Sequence, residues 1–119
     1  MEKTIISQKI SLDTAPVHIA PGGSVICHLV APASVMAALL RALMEEIAYG
    51  MIDVETLNEA EKVVRVDIYF GVADNDDFMK VFSGYADKIM GIEREDLPEG
   101  TVRTGFSMSS RNAVINCLG

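Results

Sequence analysis

The chain has 119 residues, a length that fits a single domain over residues 1–119 with a core that needs no disulfide or metal crosslinks. Ten Lys and Arg residues against 17 Asp and Glu residues give a net charge of −7. We therefore expect neither a nucleic-acid nor a membrane partner, because a polyanion binds a basic surface. Apolar residues make up 50% of the chain, which excludes wholesale disorder. No apolar run reaches the roughly 18–20 residues of a membrane span.

The two cysteines and the two histidines form no metal-binding pattern. Cys27 and Cys117 lie far apart, and the first residues do not resemble a secretory signal, so we interpret both as reduced thiols packed as small apolar groups. This interpretation predicts a cytoplasmic protein. His18 and His28 are isolated, and the sequence has neither zinc-ligand spacing nor a glycine-rich phosphate-binding motif. We therefore predict no metal site, and general motifs indicate no particular chemistry.

The first half of the chain is predicted to form two strands followed by a long helix. Residues 5–12 and the apolar run over residues 24–30 are typical of strands. Residues 34–49 have helical periodicity, with Ser34 as the N-cap and Gly50 just after the last turn. The wide apolar face of this helix indicates packing on a sheet. It comprises Val35, Met36, Leu39, Leu40, Leu43, Met44 and Ile47.

The middle of the chain contains the clearest strand. Residues 53–60 are predicted to be a short polar helix or turn, and residues 63–72 alternate as a strand does. One face of this strand is apolar and the other is mixed, which predicts that the mixed face is only partly exposed to water. The apolar face comprises Val64, Val66, Ile68 and Phe70, and the mixed face comprises Val63, Arg65, Asp67 and Tyr69.

The remaining residues are predicted to form one more helix and two strands. An acidic turn at residues 74–77 leads into a helix over residues 76–90. Carboxylates in the first turn of a helix are stabilised by the helix dipole. The turn lacks the ligand spacing of a calcium loop. A charged loop over residues 93–100 precedes strands over residues 101–109 and 113–118. The predicted order is β-β-α-β-α-β-β, an α+β fold in which two helices pack on one face of a mixed sheet.

From residue 37 onwards, the order and spacing of short motifs resemble those of a known family. A long helix precedes the strand VVRVDIYFGV, which ends in an acidic turn; a helix containing a tyrosine follows, and an arginine then opens the next-to-last strand. This arrangement resembles the Rid family, the reactive intermediate deaminases also called YjgF-type proteins. The matching positions are Asp74, Asp77, Phe78, Tyr85 and Arg103.

The resemblance implies a fold, an assembly and a reaction. Rid proteins adopt a chorismate-mutase-like α+β fold and assemble as homotrimers with a cleft between each pair of subunits. Members of the RidA branch hydrolyse a small carboxylate-bearing enamine or imine in that cleft, releasing ammonia and a 2-keto acid without a cofactor. The resemblance therefore implies a deaminase that binds a small carboxylate ligand.

The resemblance also implies the site residues. Arg103 matches the arginine that holds the substrate carboxylate, a task suited to a planar guanidinium. Asn116 stands at the family's water-positioning glutamate, and an amide orients water but is no base. Phe82 stands where RidA proteins carry an asparagine. Phe82, Tyr85 and Cys117 are the further substrate-binding residues implied.

His28 falls near a cleft position, so it is a candidate proton shuttle alongside Asn116, although a structural histidine on a strand is the alternative. The apolar Phe82 and Leu29 replace polar residues of the family. These departures leave two other hypotheses open. One is a non-catalytic Rid-like trimer that binds a small anionic metabolite, and the other is an isomerase on a chorismate-mutase-like or tautomerase-like scaffold.

Overall fold

The computed structural model describes residues 14–18, 22–98, 102–106 and 111–118. These residues form six strands and three α-helices. The strands are β1 (Thr14–His18), β2 (Ser24–Pro32), β3 (Tyr49–Asn58), β4 (Val63–Gly71), β5 (Gly91–Leu97) and β6 (Val102–Phe106). The helices are α1 (Ala33–Glu46), α2 (Asn75–Ser83) and α3 (Arg111–Leu118). The strand predicted at residues 5–12 lies outside the described residues.

The strands form one sheet in the order β1-β6-β3-β4-β2-β5, and every described pair is antiparallel. The prediction of a mixed sheet is therefore wrong for these residues. A strand–helix–strand unit often places its two strands side by side and parallel. Here β4 lies between β2 and β3, and β2 lies between β4 and β5, which gives a split β-α-β-β-α-β arrangement from β2 to β5. The α+β class is confirmed.

One face of the sheet forms the main core with the helices. Alternate residues of β2 and β4 lie on this face, and the predicted division of residues 63–72 into an apolar and a mixed face is confirmed. All three helices contribute buried side chains to the same cluster, where two helices were expected. Helix α1 supplies the largest share, namely Ala33, Met36, Ala37, Leu39, Leu40 and Leu43.

Helix α1 begins without the predicted serine cap. Its N-cap is Pro32, with no side-chain hydrogen bond, and the exposed Ser34 lies in the first turn. The backbone N–H of Ala33 instead donates to the carbonyl of Lys62, at 2.8 Å. A residue just before β4 thus satisfies one of the free donors at the helix start. The predicted C-terminal boundary at residue 49 is three residues late, because α1 ends at Glu46.

Strand β3 occupies residues 53–58 of the helix or turn that was predicted at residues 53–60, and a turn follows at residues 59–62. Its polar residues lie at positions paired with β4, so backbone pairing outweighs their local preference. Gly50, predicted to follow a helix, lies inside this strand. The ring of Tyr69 lies over Gly50 so closely that an added Cβ would overlap with Cζ of the ring. A larger residue at this position would displace the tyrosine.

The second half of the chain contains two further corrections. The predicted helix over residues 76–90 is shorter, because α2 ends at Ser83 and a 3-10 turn follows at Ala86–Lys88. The charged loop predicted at residues 93–100 is largely strand β5, which pairs with β2. Charged residues are common on such edge strands, where they oppose pairing with another chain. Among the described pairings, β5 has β2 as its neighbour and stands at the sheet edge.

The C-terminal strand predicted at residues 113–118 is helix α3. Val114, Ile115 and Leu118 are spaced to meet the core from one face of a helix, and all three are buried against it. The sequence Ala-Val-Ile-Asn-Cys-Leu is too short for periodicity alone to distinguish helix from strand. The preceding strand prediction, at residues 101–109, is confirmed where the structure describes it, as β6. None of the described helices is long and apolar enough to cross a membrane.

Candidate functional site

The second face of the sheet, opposite the helices, carries a connected group of polar side chains. We call His28, Arg65, Asp67 and Glu95 the His28 cluster. His28 lies on β2, directly opposite Asp67 of β4, and Glu95 of β5 lies on the other side of β2. Arg65 is two residues before Asp67 and therefore on the same face of β4. Antiparallel register thus brings together residues from three strands.

Asp67 holds the ring of His28. Its Oδ1 atom lies 2.8 Å from His28 Nδ1, and the Asp67 side chain is only 12% exposed. A buried carboxylate needs such partners, because burial without them is costly. On the other side of the ring, His28 Nε2 lies 3.4 Å from Glu95 Oε1, a longer contact near the protein surface. His28 therefore bridges two carboxylates, the inner one held at shorter distance.

Arg65 also contacts the carboxylate of Asp67. Its Nε donates to Oδ1 at 2.9 Å, and Nη2 lies 3.4 Å from Oδ2. The hydrogen bond to Asp67 is the largest cause that raises the pKa of Arg65 above its ordinary value, followed by an opposing effect of partial burial. The guanidinium also reaches the histidine, since Nη2 lies 3.0 Å from His28 Nδ1. Arg65 and Asp67 therefore meet the same ring nitrogen.

Additional carboxylates surround the His28 cluster. Asp53 and Glu55 of β3 are paired with Asp67 and Arg65, and both help to raise the pKa of Arg65. Glu93 of β5 is paired with His28. Directly opposite residues in antiparallel strands share a face of the sheet. The region around His28 thus has more carboxylates than cationic groups, which disfavours a ligand whose only charge is negative.

This arrangement is suited to proton transfer. A carboxylate at one ring nitrogen of a histidine orients the ring and leaves the other nitrogen to take or give a proton. His28 Nε2, on the outer side of the cluster, is the atom placed to do so. Among the residues that the structure describes, no group of three or more His, Cys, Asp or Glu side chains is arranged to hold a metal ion.

The other predicted site residues lie elsewhere. Phe82, Tyr85 and Cys117 are partly buried against the main core, on the helix side of the sheet, and Phe82 stacks on Phe78 with a centroid distance of 5.6 Å. Asn116 is exposed on α3. Since these residues and His28 occupy opposite sides of the sheet, one chain does not bring them into a common site.

The prediction that Asn116 and Cys117 lie on a last strand is wrong, because α3 occupies that segment. Arg103 lies on β6 in register with Val17 of β1. In sheet order, β3 and β4 separate β6 from β2, which carries His28. With neighbouring strands about 4.8 Å apart, the two strands are roughly 14 Å apart within one chain.

No family model, curated protein or solved structure matches this chain. The site is therefore interpreted from its own geometry, and the resemblance to the Rid family stays a prediction.

Sequence reasoning missed the partners of His28. The alternation of residues 63–72 predicts Arg65 and Asp67 on the mixed face of their strand, but it does not indicate which strand pairs with that strand. The composition of residues 93–100 predicts a loop at Glu95. The one available signal was the combination of a histidine within an apolar strand and two charged residues within another. Buried polar positions of that kind need partners, so pairing them would have been a reasonable hypothesis.

We predict that Cys27 is unreactive in the folded protein. Burial raises the pKa of its thiol from 9.0 to about 11, although Arg94 partly opposes the shift. At pH 8 only about one Cys27 in a thousand is a thiolate, the form that reacts. Iodoacetamide at pH 8, followed by peptide mass spectrometry, is expected to modify the half-buried Cys117 at least roughly tenfold faster than Cys27.

Unfolding in urea supplies the control, because both thiols are then expected to react at similar rates. Equal labelling of the two cysteines in the folded protein would contradict the assigned burial of Cys27.

The raised pKa of Cys27 also makes the stability of the fold depend on pH. The stabilising effect of the neutral Cys27 thiol is fully present below pH 9 and is lost as the pH rises through about 11.

Proposed function

We propose that this protein is a Rid-like, cofactor-free hydrolase of a small carboxylate-bearing imine, enamine or related C–N compound. The observation that carries the proposal is the 2.8 Å contact between Asp67 Oδ1 and His28 Nδ1, which presents Nε2 as a proton-transfer atom. The substrate class is the one implied by the resemblance of the motifs around Arg103 to those of the Rid family. The proposed fold is the chorismate-mutase-like fold that the resemblance implies, and the α+β class of the described residues is compatible with it.

The reaction needs one group that moves protons. An enamine first becomes a neutral imine by taking a proton on carbon and losing one from nitrogen. Water then adds to the imine carbon, His28 Nε2 takes one of its protons, and that proton is delivered to nitrogen. The second proton of the former water follows the same path, the C–N bond breaks, and ammonia leaves as the C=O bond forms. Water and imine thus give ammonia and a keto acid, and His28 returns to its starting state.

The proposed site is shared between subunits of a homotrimer. Carboxylates surround His28, so a substrate carboxylate needs a cationic anchor from outside the His28 cluster. We assign that role to Arg103 of a neighbouring subunit, because the strands carrying Arg103 and His28 are separated within one chain. An arginine holds a carboxylate with two parallel hydrogen bonds and so fixes its plane. The proposed location is the cytoplasm, in line with the free thiols Cys27 and Cys117.

The test measures keto-acid and ammonia release from an enamine generated in situ by a serine dehydratase. Wild type is expected to accelerate the release above the buffer rate, and Arg103→Ala is expected to lose most of this acceleration. Arg41→Ala is the matched control, since Arg41 is exposed on the helix side. Light scattering is expected to give the mass of a trimer. A monomer, or equal rates for wild type and buffer, would contradict the proposal.

A second candidate is a non-catalytic Rid-like trimer that binds a small anionic metabolite. The observation that favours it is the position of Asn116, which replaces the family's carboxylate and is exposed on α3 rather than near His28. A binder without turnover is expected to show a higher melting temperature with 2-keto acids, because a ligand that binds the folded state stabilises it. This shift, lost in Arg103→Ala while no keto acid is released, would favour the binder.

A further inference from the structure

We propose that Glu95 is a positioning residue that acts through His28, by stabilising the positively charged ring that forms when Nε2 takes a proton. The inference deepens the proposed function, and its catalytic meaning rests on that function. It concerns the outer nitrogen of the ring, where Glu95 Oε1 lies 3.4 Å from His28 Nε2. Nε2 is also the atom to which the proposed hydrolysis assigns every proton transfer.

The inner nitrogen of the ring is protonated in both charge states. Asp67 Oδ1 lies 2.8 Å from His28 Nδ1. Since an ionised carboxylate only accepts hydrogen bonds, Nδ1 carries a proton and donates to Asp67. A second proton is therefore taken up at Nε2, which presents a lone pair in the neutral ring and an N–H group in the charged ring.

Glu95 interacts differently with these two charge states. In the neutral ring, Nε2 and the carboxylate are both acceptors, so their contact is not a hydrogen bond. In the charged ring, the Nε2–H group lies beside the negative Oε1 atom, and the two attract each other. The contact is long and the Glu95 side chain is 48% exposed, so the attraction is modest and the proton can still pass to the substrate nitrogen.

The proton balance of the proposed reaction does not change. An O–H bond of water breaks as an N–H bond forms at Nε2, and the ring becomes positive. That N–H bond then breaks as the proton moves to the substrate nitrogen, and the ring returns to its neutral form with Nδ1 still protonated. Glu95 stays ionised throughout, so it alters the balance between the two forms of His28 without exchanging a proton itself.

Other charged groups face His28 from the neighbouring strands. On β4, Asp67 favours the charged ring, whereas the guanidinium of Arg65 opposes it, because Nη2 lies 3.0 Å from Nδ1. The other described carboxylates of this face, which also favour the charged ring, are Glu93 of β5 and Asp53 and Glu55 of β3. Glu95 differs from these in contacting Nε2 itself. Its charge therefore offsets that of Arg65 at the atom that exchanges protons.

The test follows the NMR signals of the His28 ring across the pH range in which histidines change charge, and His18→Gln identifies the signals of the other histidine. Glu95→Gln keeps the length of the side chain and removes its charge. It is expected to move the midpoint of the His28 titration to lower pH by about 0.2–0.7 pH units. Asp96→Asn is the matched control and is expected to leave the midpoint in place. Asp96 is the next residue of β5, and it pairs with Val25 on the helix side of the sheet.

Arg65→Met supplies a comparison of opposite sign. Removing the positive charge beside Nδ1 is expected to move the midpoint to higher pH. A disturbance of the local fold would instead move both variants towards the behaviour of an exposed histidine, so opposite shifts identify an effect of charge. An unmoved midpoint in Glu95→Gln, or shifts of the same sign in both variants, would overturn the inference. Circular dichroism establishes folding, and Glu95→Gln against Asp96→Asn decides if Arg65→Met fails to fold.

The dependence of kcat/KM on pH separates this inference from the proposed function, because it reports the ionisation of the free enzyme. If both hold, the acid limb of the profile moves in Glu95→Gln by the same amount as the His28 midpoint. A shifted midpoint with no wild-type turnover would support the action of Glu95 on His28 and contradict the hydrolase. Turnover with an unmoved midpoint would support the hydrolase and contradict the role of Glu95. Turnover with a shifted midpoint and an unmoved acid limb would overturn the catalytic role of Glu95.

Discussion

Replacement of His28 by asparagine is expected to reduce kcat for imine hydrolysis by about 10²–10⁴-fold, the usual contribution of a positioned acid–base group. Asparagine keeps a polar side chain beside Asp67 but has no group that takes and returns a proton near neutral pH. Because the His28 side chain is 21% exposed and lies outside the main core, the variant is expected to fold. Steady-state release of keto acid is the measurement.

Two carboxylate variants distinguish an effect on kcat through the orientation of the His28 ring from an effect of negative charge near the ring. Asp67→Asn replaces the charged acceptor at Nδ1 by a neutral amide, which accepts through its oxygen but donates through its nitrogen, and it is expected to lower kcat strongly. Asp53→Asn makes the same chemical change at the exposed residue paired with Asp67, and it is expected to leave kcat within about twofold of wild type. Equal losses in the two variants, or full activity of His28→Asn, would contradict the assigned role of His28.

Mixing inactive variants tests the shared site. If His28 and Arg103 act from neighbouring subunits, trimers formed from His28→Asn and Arg103→Ala chains contain some clefts with both residues intact. After unfolding and refolding an equal mixture, about one cleft in four is intact, so about a quarter of the wild-type rate is expected. Each variant refolded alone is the control. No recovery in a mixture that forms trimers would contradict a site shared between subunits.

Phe78→Ala is expected to lower the free energy of unfolding by about 3–5 kcal/mol. Phe78 is completely buried, and its ring stacks on Phe70 with a centroid distance of 4.7 Å and on Phe82 at 5.6 Å. Arg94 lies over the same ring, at 5.8 Å from its centroid. Truncation leaves a cavity between α2 and the sheet. Such a loss is large against a typical total of about 5–15 kcal/mol.

Urea unfolding followed by circular dichroism measures the effect of Phe78→Ala. Lys80→Ala, at an exposed position of the same helix, is the control and is expected to change the free energy of unfolding by less than about 0.5 kcal/mol. A loss below about 1 kcal/mol in Phe78→Ala would mean that α2 does not depend on this packing.

The elements predicted correctly are those whose periodicity is set by one buried face. The strand over residues 24–30, the strand over residues 63–72 and the helix from residue 34 each place apolar residues on a face that meets the core, and each lies close to its predicted position. The predictions were wrong for residues 53–58 and 93–97, because polar strands pair through the backbone, which composition does not reveal. At residues 113–118, helix and strand fit the short pattern equally well.

The candidate site was only partly predictable for the same reason. The sequence singled out His28 as a candidate proton shuttle, and it placed Arg65 and Asp67 together on the mixed face of one strand. It did not predict that His28 contacts Asp67. Their contact depends on the register of β2 against β4, which joins residues 39 positions apart. The predicted partner Asn116 lies on the other side of the sheet because α3 packs there.

The sequence by itself determined the α+β class, the net negative charge and the apolar faces that form the core, because hydrophobic periodicity and charge are local properties of the chain. Tertiary structure alone decided the strand order, the conversion of the last predicted strand into a helix and the grouping of His28 with Asp67, Arg65 and Glu95. These features depend on which distant segments lie side by side, and that choice minimises the free energy of the whole core rather than of any one segment.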